Sequence, residues 1–400
     1  MSLDDILLSF HEKKILYIQY ETGKIYLHSN EFKLTYDIPT DEFSLVNFLG
    51  KLDFIFCNKQ IVICWNIKDF LSFILFKINK VYNIECNIYD LKIMESYLGN
   101  SSTSPSSFQE AFNRLKSLKS NEKLLSIYNR IHLPLVREII PDLENPKLVH
   151  KGLKKSVRAY YEIEGQVNGR LKCSKLGKNY FNPHSLGKEE KEQIFSSFYN
   201  EEFLYLDFSS LEVYILQWLS KDSNLGQIIK KQEDLYESIW EKITSLPGKG
   251  NRNKCKLLFL PVMYGQGYRS IAEKFNVSES TAKRLHDSIY EKFPEAVDWL
   301  NDCQNSMRNE DYFGRRREFD QTYKIRNFMV QSPSATICLD KLVKLYYAIK
   351  DSARIAYYVH DGYCIVCEKV KSKKVLETAK NILESEDEMY PELKLRVSCL

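Results

Sequence analysis

The chain has 400 residues, 44% of them hydrophobic and 28% charged, with a formal net charge of +4. These proportions describe a soluble globular protein of two or three domains, and so mildly basic a balance confines any nucleic-acid footprint to a local patch. No apolar segment reaches 18 residues, and the start from Met1 to Leu8 lacks the cationic region of a signal peptide, so a cytoplasmic protein with no membrane partner is expected.

In chain order, alternating and short apolar runs predict strands at 14–19, 24–28, 54–57 and 61–65, followed by an amphipathic helix at 67–78. Residues 100–107, Asn-Ser-Ser-Thr-Ser-Pro-Ser-Ser, form a polar, breaker-rich linker. Helical patterns follow at 108–118 and 123–143. Between 143 and 165 come Lys147, Lys151, Lys154, Lys155 and Arg158, which suit either phosphate contact or a solvated helix face. A helical pattern at 188–197 leads to an apolar strand ending at Asp207. Further helices are expected at 235–243, 268–275, 279–292, 335–349 and 371–384, and a last strand at 393–398. The ten cysteines show no repeating ligand spacing. Cys364 and Cys367 form a CxxC pair, but in a strand that spacing puts them on opposite faces, so buried structural thiols are expected.

Three stretches carry chemistry. In Tyr205-Leu206-Asp207-Phe208-Ser209-Ser210-Leu211-Glu212, strand gives way to helix at Asp207, whose carboxylate can hold a metal or simply cap the helix. Arg252, Lys256, Leu260 and Tyr264 stand four apart and make one stripe on a helix: two cations for a triphosphate, then an apolar and an aromatic residue against which a base can stack. In 356–366, two apolar runs meet at His360-Asp361-Gly362. Asp207 and Asp361, projecting from neighbouring strand ends, can hold two divalent ions ~3.5–4 Å apart for a phosphoryl displacement.

In this order the stretches resemble motifs A, B and C of the family A DNA polymerases, over roughly residues 168–400. The resemblance implies an α+β right-hand polymerase fold with an antiparallel palm sheet, helical fingers and a minimal thumb. The palm and fingers occupy 169–400, with the fingers at about 225–312, and 108–168 is a reduced thumb with connecting helices. Residues 1–99 resemble the family's RNase H-like α/β 3′–5′ exonuclease domain in degenerate form. The expected DxE is replaced by Gln19-Tyr20-Glu21, and Asp69 and Asp90 are read as surface or capping residues.

Residue by residue, the resemblance implies that Asp207 and Asp361 ligate two Mg²⁺ ions, with Mn²⁺ as a substitute. Arg252 and the catalytic Lys256 hold the triphosphate, with Leu260 and Ser210 beside it. Tyr264 guards the templating position and Glu212 excludes ribonucleotides. Arg170, Asn327, Gln331, His360, Gly265 and Arg316 contact DNA. The implied function is template-directed DNA synthesis from dNTPs on a primer-template. No proofreading and low processivity are expected of a monomer that takes a processivity factor or a helicase-primase as partner. A phage or mobile-element replicase and a gap-filling repair enzyme are both compatible with this reading. The sequence departs from the family at Gly362 (usually glutamate), Ser210 (glutamine), Leu260 (aromatic) and Pro261, which predicts a kink. Two other readings are a single-subunit RNA polymerase, which would lack Glu212, and an inactive DNA-binding scaffold.

Overall fold

The computed structural model describes residues 9–79, 81–82, 84, 86–145, 147–150, 155–174, 182–185, 194–196, 200–231, 233–246 and 248–399. The N-terminal region is a five-stranded sheet. Its order from one edge is Lys33–Asp37, Lys24–His28, Ile15–Glu21, Ile61–Trp65 and Asn87–Asp90, the last three parallel to one another. Helices on the sheet bury the parallel strands, so Leu16-Tyr17-Ile18 and Val62-Ile63-Cys64 read as continuous apolar runs. The strand expected at 54–57 is instead the last turn of a helix, Glu42–Phe56. Its inward residues Leu45, Phe48, Leu49, Leu52, Ile55 and Phe56 recur at helical spacing, and Asp41 caps it by accepting from Ser44 N at 2.9 Å. A four-residue apolar window looks extended; the fifteen-residue window is helical.

Residues 100–107 are irregular, as expected, but pinned along their length. Tyr17 donates to the Pro105 carbonyl, Gln19 to Ser104 Oγ and Arg114 to the Thr103 carbonyl. Helix Phe108–Lys119 follows, and then a helical rod over 122–144. Around Pro134, which offers no N–H, the rod widens into two π-helical turns, Tyr128–His132 and Leu135–Ile139.

The second large sheet is antiparallel, ordered Ala353–Val359, Gly362–Glu368, Glu201–Phe208, Val397–Cys399. Behind it lies a 27-residue helix, Tyr323–Ile349, which begins well before the expected 335. Helices Ser223–Lys230, Leu235–Thr244, Arg252–Met263, Tyr268–Phe275, Glu279–Lys292 and Pro294–Asn305 build the helical layer expected as fingers. Most of the helix expected at 188–197 falls outside the described residues. The part that is described, Ile194–Ser196, is a strand pairing with Leu148–His150, which also pairs with Lys155–Val157. That pairing overturns the helix-face reading of the basic segment. Lys151 and Lys154 lie outside the described residues, while Arg158 donates to Asn79 Oδ1 at 2.8 Å. Cys364 and Cys367 are buried and are not joined by a disulfide.

One hydrophobic core runs from Phe10 through Tyr128 and Leu206 to Leu395. Among the described residues, no helix is long and apolar enough to cross a membrane.

Candidate active site

The strand Glu201–Phe208 sits inside its sheet, with Asp207 one residue from the end and in register with Gly362. Phe208 N donates to the Asp361 carbonyl at 3.2 Å, so the second carboxylate belongs to the turn directly beside the first. His360 makes that turn in the left-handed region, at φ +55°. A β-carbon at Gly362 would lie 3.2 Å from Asp207 Oδ1, so the absence of a side chain there leaves the Asp207 carboxylate its room. Burial, followed by the charge of Asp207, pushes Asp361 up to about 6. Paired oxygen donors that repel each other in this way suit hard divalent cations. Among the described residues no third His, Cys, Asp or Glu joins them. A magnesium ion here would complete its shell from water and substrate phosphates, as that ion commonly does.

Glu212, on the first turn of helix Leu211–Ser220, gathers residues from three distant stretches. Its Oε1 accepts from Arg170 Nη2 at 3.0 Å and Gln331 Nε2 at 3.2 Å, and its Oε2 accepts from the Tyr264 hydroxyl at 2.6 Å. Asn168 Nδ2 in turn donates to Gln331 Oε1 at 3.2 Å. Three expected site residues thus meet on the carboxylate of a fourth. Burial, then Glu212, holds the Tyr264 phenol well above its ordinary value, so it stays a donor. Ser210, at φ +56°, turns the chain from strand into helix and is hydrogen-bonded to Tyr236.

The cationic stripe forms as expected. Arg252 and Lys256 are exposed, and Leu260 and Tyr264 are half-buried. Arg252 Nε donates to Asp234 Oδ2 at 2.8 Å, and its guanidinium lies over the Tyr236 ring. Neither Asp234 nor Tyr236 had been anticipated, and only their place in the preceding helical pattern could have suggested them. The helix continues through Pro261. The Leu257 carbonyl that Pro261 leaves without a partner accepts from Lys274 Nζ at 3.0 Å. Tyr264 and Gly265 border a cavity of about 820 Å³ that also takes in Asn168, Phe319, Asn327 and Gln331. Arg316 is half-exposed and paired with Glu310.

The neighbouring Arg315 points into the protein. It is fully buried, and its bidentate bonds to Glu164 measure 3.1 and 2.8 Å. Burial alone would raise Glu164, but Arg315 and His132 hold it well below the usual carboxylate range.

In the N-terminal region, Gln19 and Glu21 end the central strand and Gln19 donates to Glu21 at 3.3 Å. Asp69 accepts from the Tyr160 hydroxyl at 2.5 Å. Asp90 caps helix Leu91–Tyr97, and burial pushes it up to about 6.

A family model described as DNA polymerase family A matches residues 99–400. Among curated proteins, DNA polymerase theta of Caenorhabditis elegans is 22% identical over 310 residues, which is 71% of this chain and 19% of that protein. DNA polymerase I of Thermus aquaticus is 23% identical over 207 residues, 46% of this chain and 24% of that protein. The chain therefore spans only about a fifth to a quarter of these relatives. Among solved structures, the POL domain of Pol1 from M. smegmatis, in complex with DNA primer-template and dNTP, superposes with a TM-score of 0.76 at 13% identity. The match covers 99% of this chain and 97% of that one, and shows a shared fold.

Proposed function

Because the chain belongs to DNA polymerase family A, we propose that it is a DNA-directed DNA polymerase that extends a primer 3′ end with dNTPs by two-metal-ion transfer. The observation that carries the proposal is the adjacency of Asp207 and Asp361 at one end of the sheet. Bound between them, two Mg²⁺ ions would stabilise the attacking and leaving oxygens of the displacement. This chain's own residues do the rest. Arg252 and Lys256 present two exposed cations, one helical turn apart, to a triphosphate. The cavity beside Tyr264 and Gly265 receives the templating base, and Asn327 and Gln331 line its wall. Glu212 fills the space a 2′-hydroxyl would need, which favours deoxynucleotides over the ribonucleotides of an RNA polymerase. The N-terminal region, with Gln19 where an acid is required and Asp69 engaged by Tyr160, contributes no nuclease. With so little chain between 143 and 165 to close over duplex DNA, the protein works as a monomer of low processivity.

Primer extension on a defined template, with wild type and Asp361→Asn, tests this. Extension dependent on Mg²⁺, directed by the template and lost in the variant is expected. Template-independent addition, or full activity in Asp361→Asn, would refute it.

A further inference from the structure

Of the three side chains that meet on Glu212, Tyr264 comes from the end of helix Arg252–Met263, while Arg170 and Gln331 reach it from two supports, the Asn168-Gly169-Arg170 turn and helix Tyr323–Ile349. Both supports rest on Arg315. Its Nη1 donates to the Ser332 carbonyl at 3.3 Å, to Ser332 Oγ at 3.1 Å and to Thr336 Oγ1 at 2.8 Å, one residue and about a turn beyond Gln331. On the other side, a β-carbon at Gly169 would lie 2.1 Å from Arg315 Cζ, so the turn backbone lies directly on the guanidinium. Gly169 takes φ +78°, a conformation open to glycine. Glu164 holds the far edge of Arg315, and Asp311 faces it at 3.6 Å.

The N-terminal region closes this assembly from outside. The Arg315 guanidinium lies 4.6 Å from the centroid of the Tyr97 ring. The Tyr97 hydroxyl donates to the Phe313 carbonyl at 3.0 Å, and Arg316 N donates to the Tyr97 carbonyl at 3.0 Å. Arg317 links Ser96 to Glu164, donating to the Ser96 carbonyl and to Glu164 Oε2, both at 2.8 Å.

We propose that Arg315 is a positioning residue that sets the register of Arg170 and Gln331 on Glu212, and that the N-terminal region, through Tyr97, serves substrate discrimination by bracing it. The claim about discrimination rests on the polymerase reading above; the claim about positioning does not. A guanidinium with fixed fork geometry can hold two supports at one spacing, which a lysine cannot. Small displacements at such a shell cost specificity before they cost folding.

Removing Arg315 outright strands the buried Glu164 charge and endangers the fold, so the test uses Thr336→Val and Tyr97→Phe. Each deletes one hydroxyl and leaves Arg315 paired with Glu164. The first readout is amide exchange at Gly169 and Arg170, whose N–H groups bond Gln166 O and Asn168 Oδ1. It should quicken about tenfold in both variants while exchange in the Glu201–Phe208 strand is unchanged. The second is the ratio of kcat/KM for ribonucleotide to deoxynucleotide and for mismatched to matched primer ends, expected to relax about tenfold. Unchanged exchange at Gly169 and Arg170 overturns the positioning role whatever the enzyme's activity. Quickened exchange with unaltered ratios, all substrates falling together, overturns the link to discrimination. A wild type that fails to extend a primer refutes the polymerase reading, and the exchange result still decides the positioning role.

Discussion

Glu212→Ala should admit ribonucleotides. The substitution removes a carboxylate that accepts from Arg170, Tyr264 and Gln331, and opens the volume of four heavy atoms where the proposed reading seats the incoming sugar. One added or missing small group in a shaped pocket changes discrimination by about 1–3 kcal/mol, so the ratio of kcat/KM for rNTP to dNTP should rise about 10- to 200-fold. Stability should change less. The bonds lost are charge-assisted, at about 1.5–3 kcal/mol each, but all the partners are part-exposed and regain water, leaving a net loss of about 1–2 kcal/mol. Glu212→Gln separates the two roles. It keeps the bulk and one acceptor oxygen, so discrimination should stay within about threefold of wild type while the Arg170 charge loses its partner. Steady-state kinetics with each nucleotide on the same primer-template measure both variants. An unchanged ratio in Glu212→Ala, or equal relaxation in Glu212→Gln, would refute the steric argument.

In buffer free of divalent metal, Asp361→Asn should raise the melting temperature even though it abolishes extension. The folded-state value near 6, against about 3.9 unfolded, means Asp361 opposes folding increasingly as pH rises from about 4 to 6, by up to about 3 kcal/mol above that range. A melting temperature at pH 7.5 equal to or below wild type would count against the repulsion. Glu164 has the opposite sign. Its lowered value adds stability that is present above about pH 4.3, its unfolded value, and is lost as pH falls through the folded one, so the gap in stability between wild type and Glu164→Gln should shrink in acid and not in base. A gap constant from pH 7 to pH 3 would show that the pair is not ionic. A mismatched primer incubated with Mg²⁺ and no nucleotide should keep its end; removal of that end, lost again in Asp69→Ala, would reveal a nuclease. Extension in the presence of excess trap DNA should stop after a few nucleotides, since in the proposed reading so short a stretch from 143 to 165 makes few phosphate contacts; products hundreds of nucleotides long would contradict this.

The residues of the proposed site were legible because their spacing is local. Asp207 and Glu212 sit across one strand-to-helix turn, and Arg252 to Tyr264 along one helix. What joins them was not legible. Glu212 is a recognisable glutamate in the sequence, yet nothing near it announces Arg170, Tyr264 and Gln331 as its donors, because those contacts are made by tertiary packing. Arg315 shows the same limit more sharply. Arg315, Arg316 and Arg317 are consecutive and alike in the sequence, but burial distinguishes them: Arg315 is buried with Glu164, Arg317 shares that carboxylate, and only Arg316 of the three stays in solvent. The strand misread at 54–57 failed for a different reason, because a short window cannot separate period 2 from period 3.6.

The continuous core and the buried pairs that cross it set where this protein can be cut. The family match begins at residue 99, which invites a catalytic fragment starting there. Such a fragment would keep Glu144, fully buried, and lose Lys68, its ion-pair partner at 2.8 Å, together with the Ser72 hydroxyl at 2.5 Å. It would also bare Tyr128, whose hydroxyl donates to the Ile88 carbonyl and accepts from Asp90 N, and remove the ring under Arg315. An unpaired buried carboxylate costs several kcal/mol, comparable to the whole margin of a typical fold. These pairs predict that a fragment beginning at residue 99 melts below the chain that keeps residues 9–98.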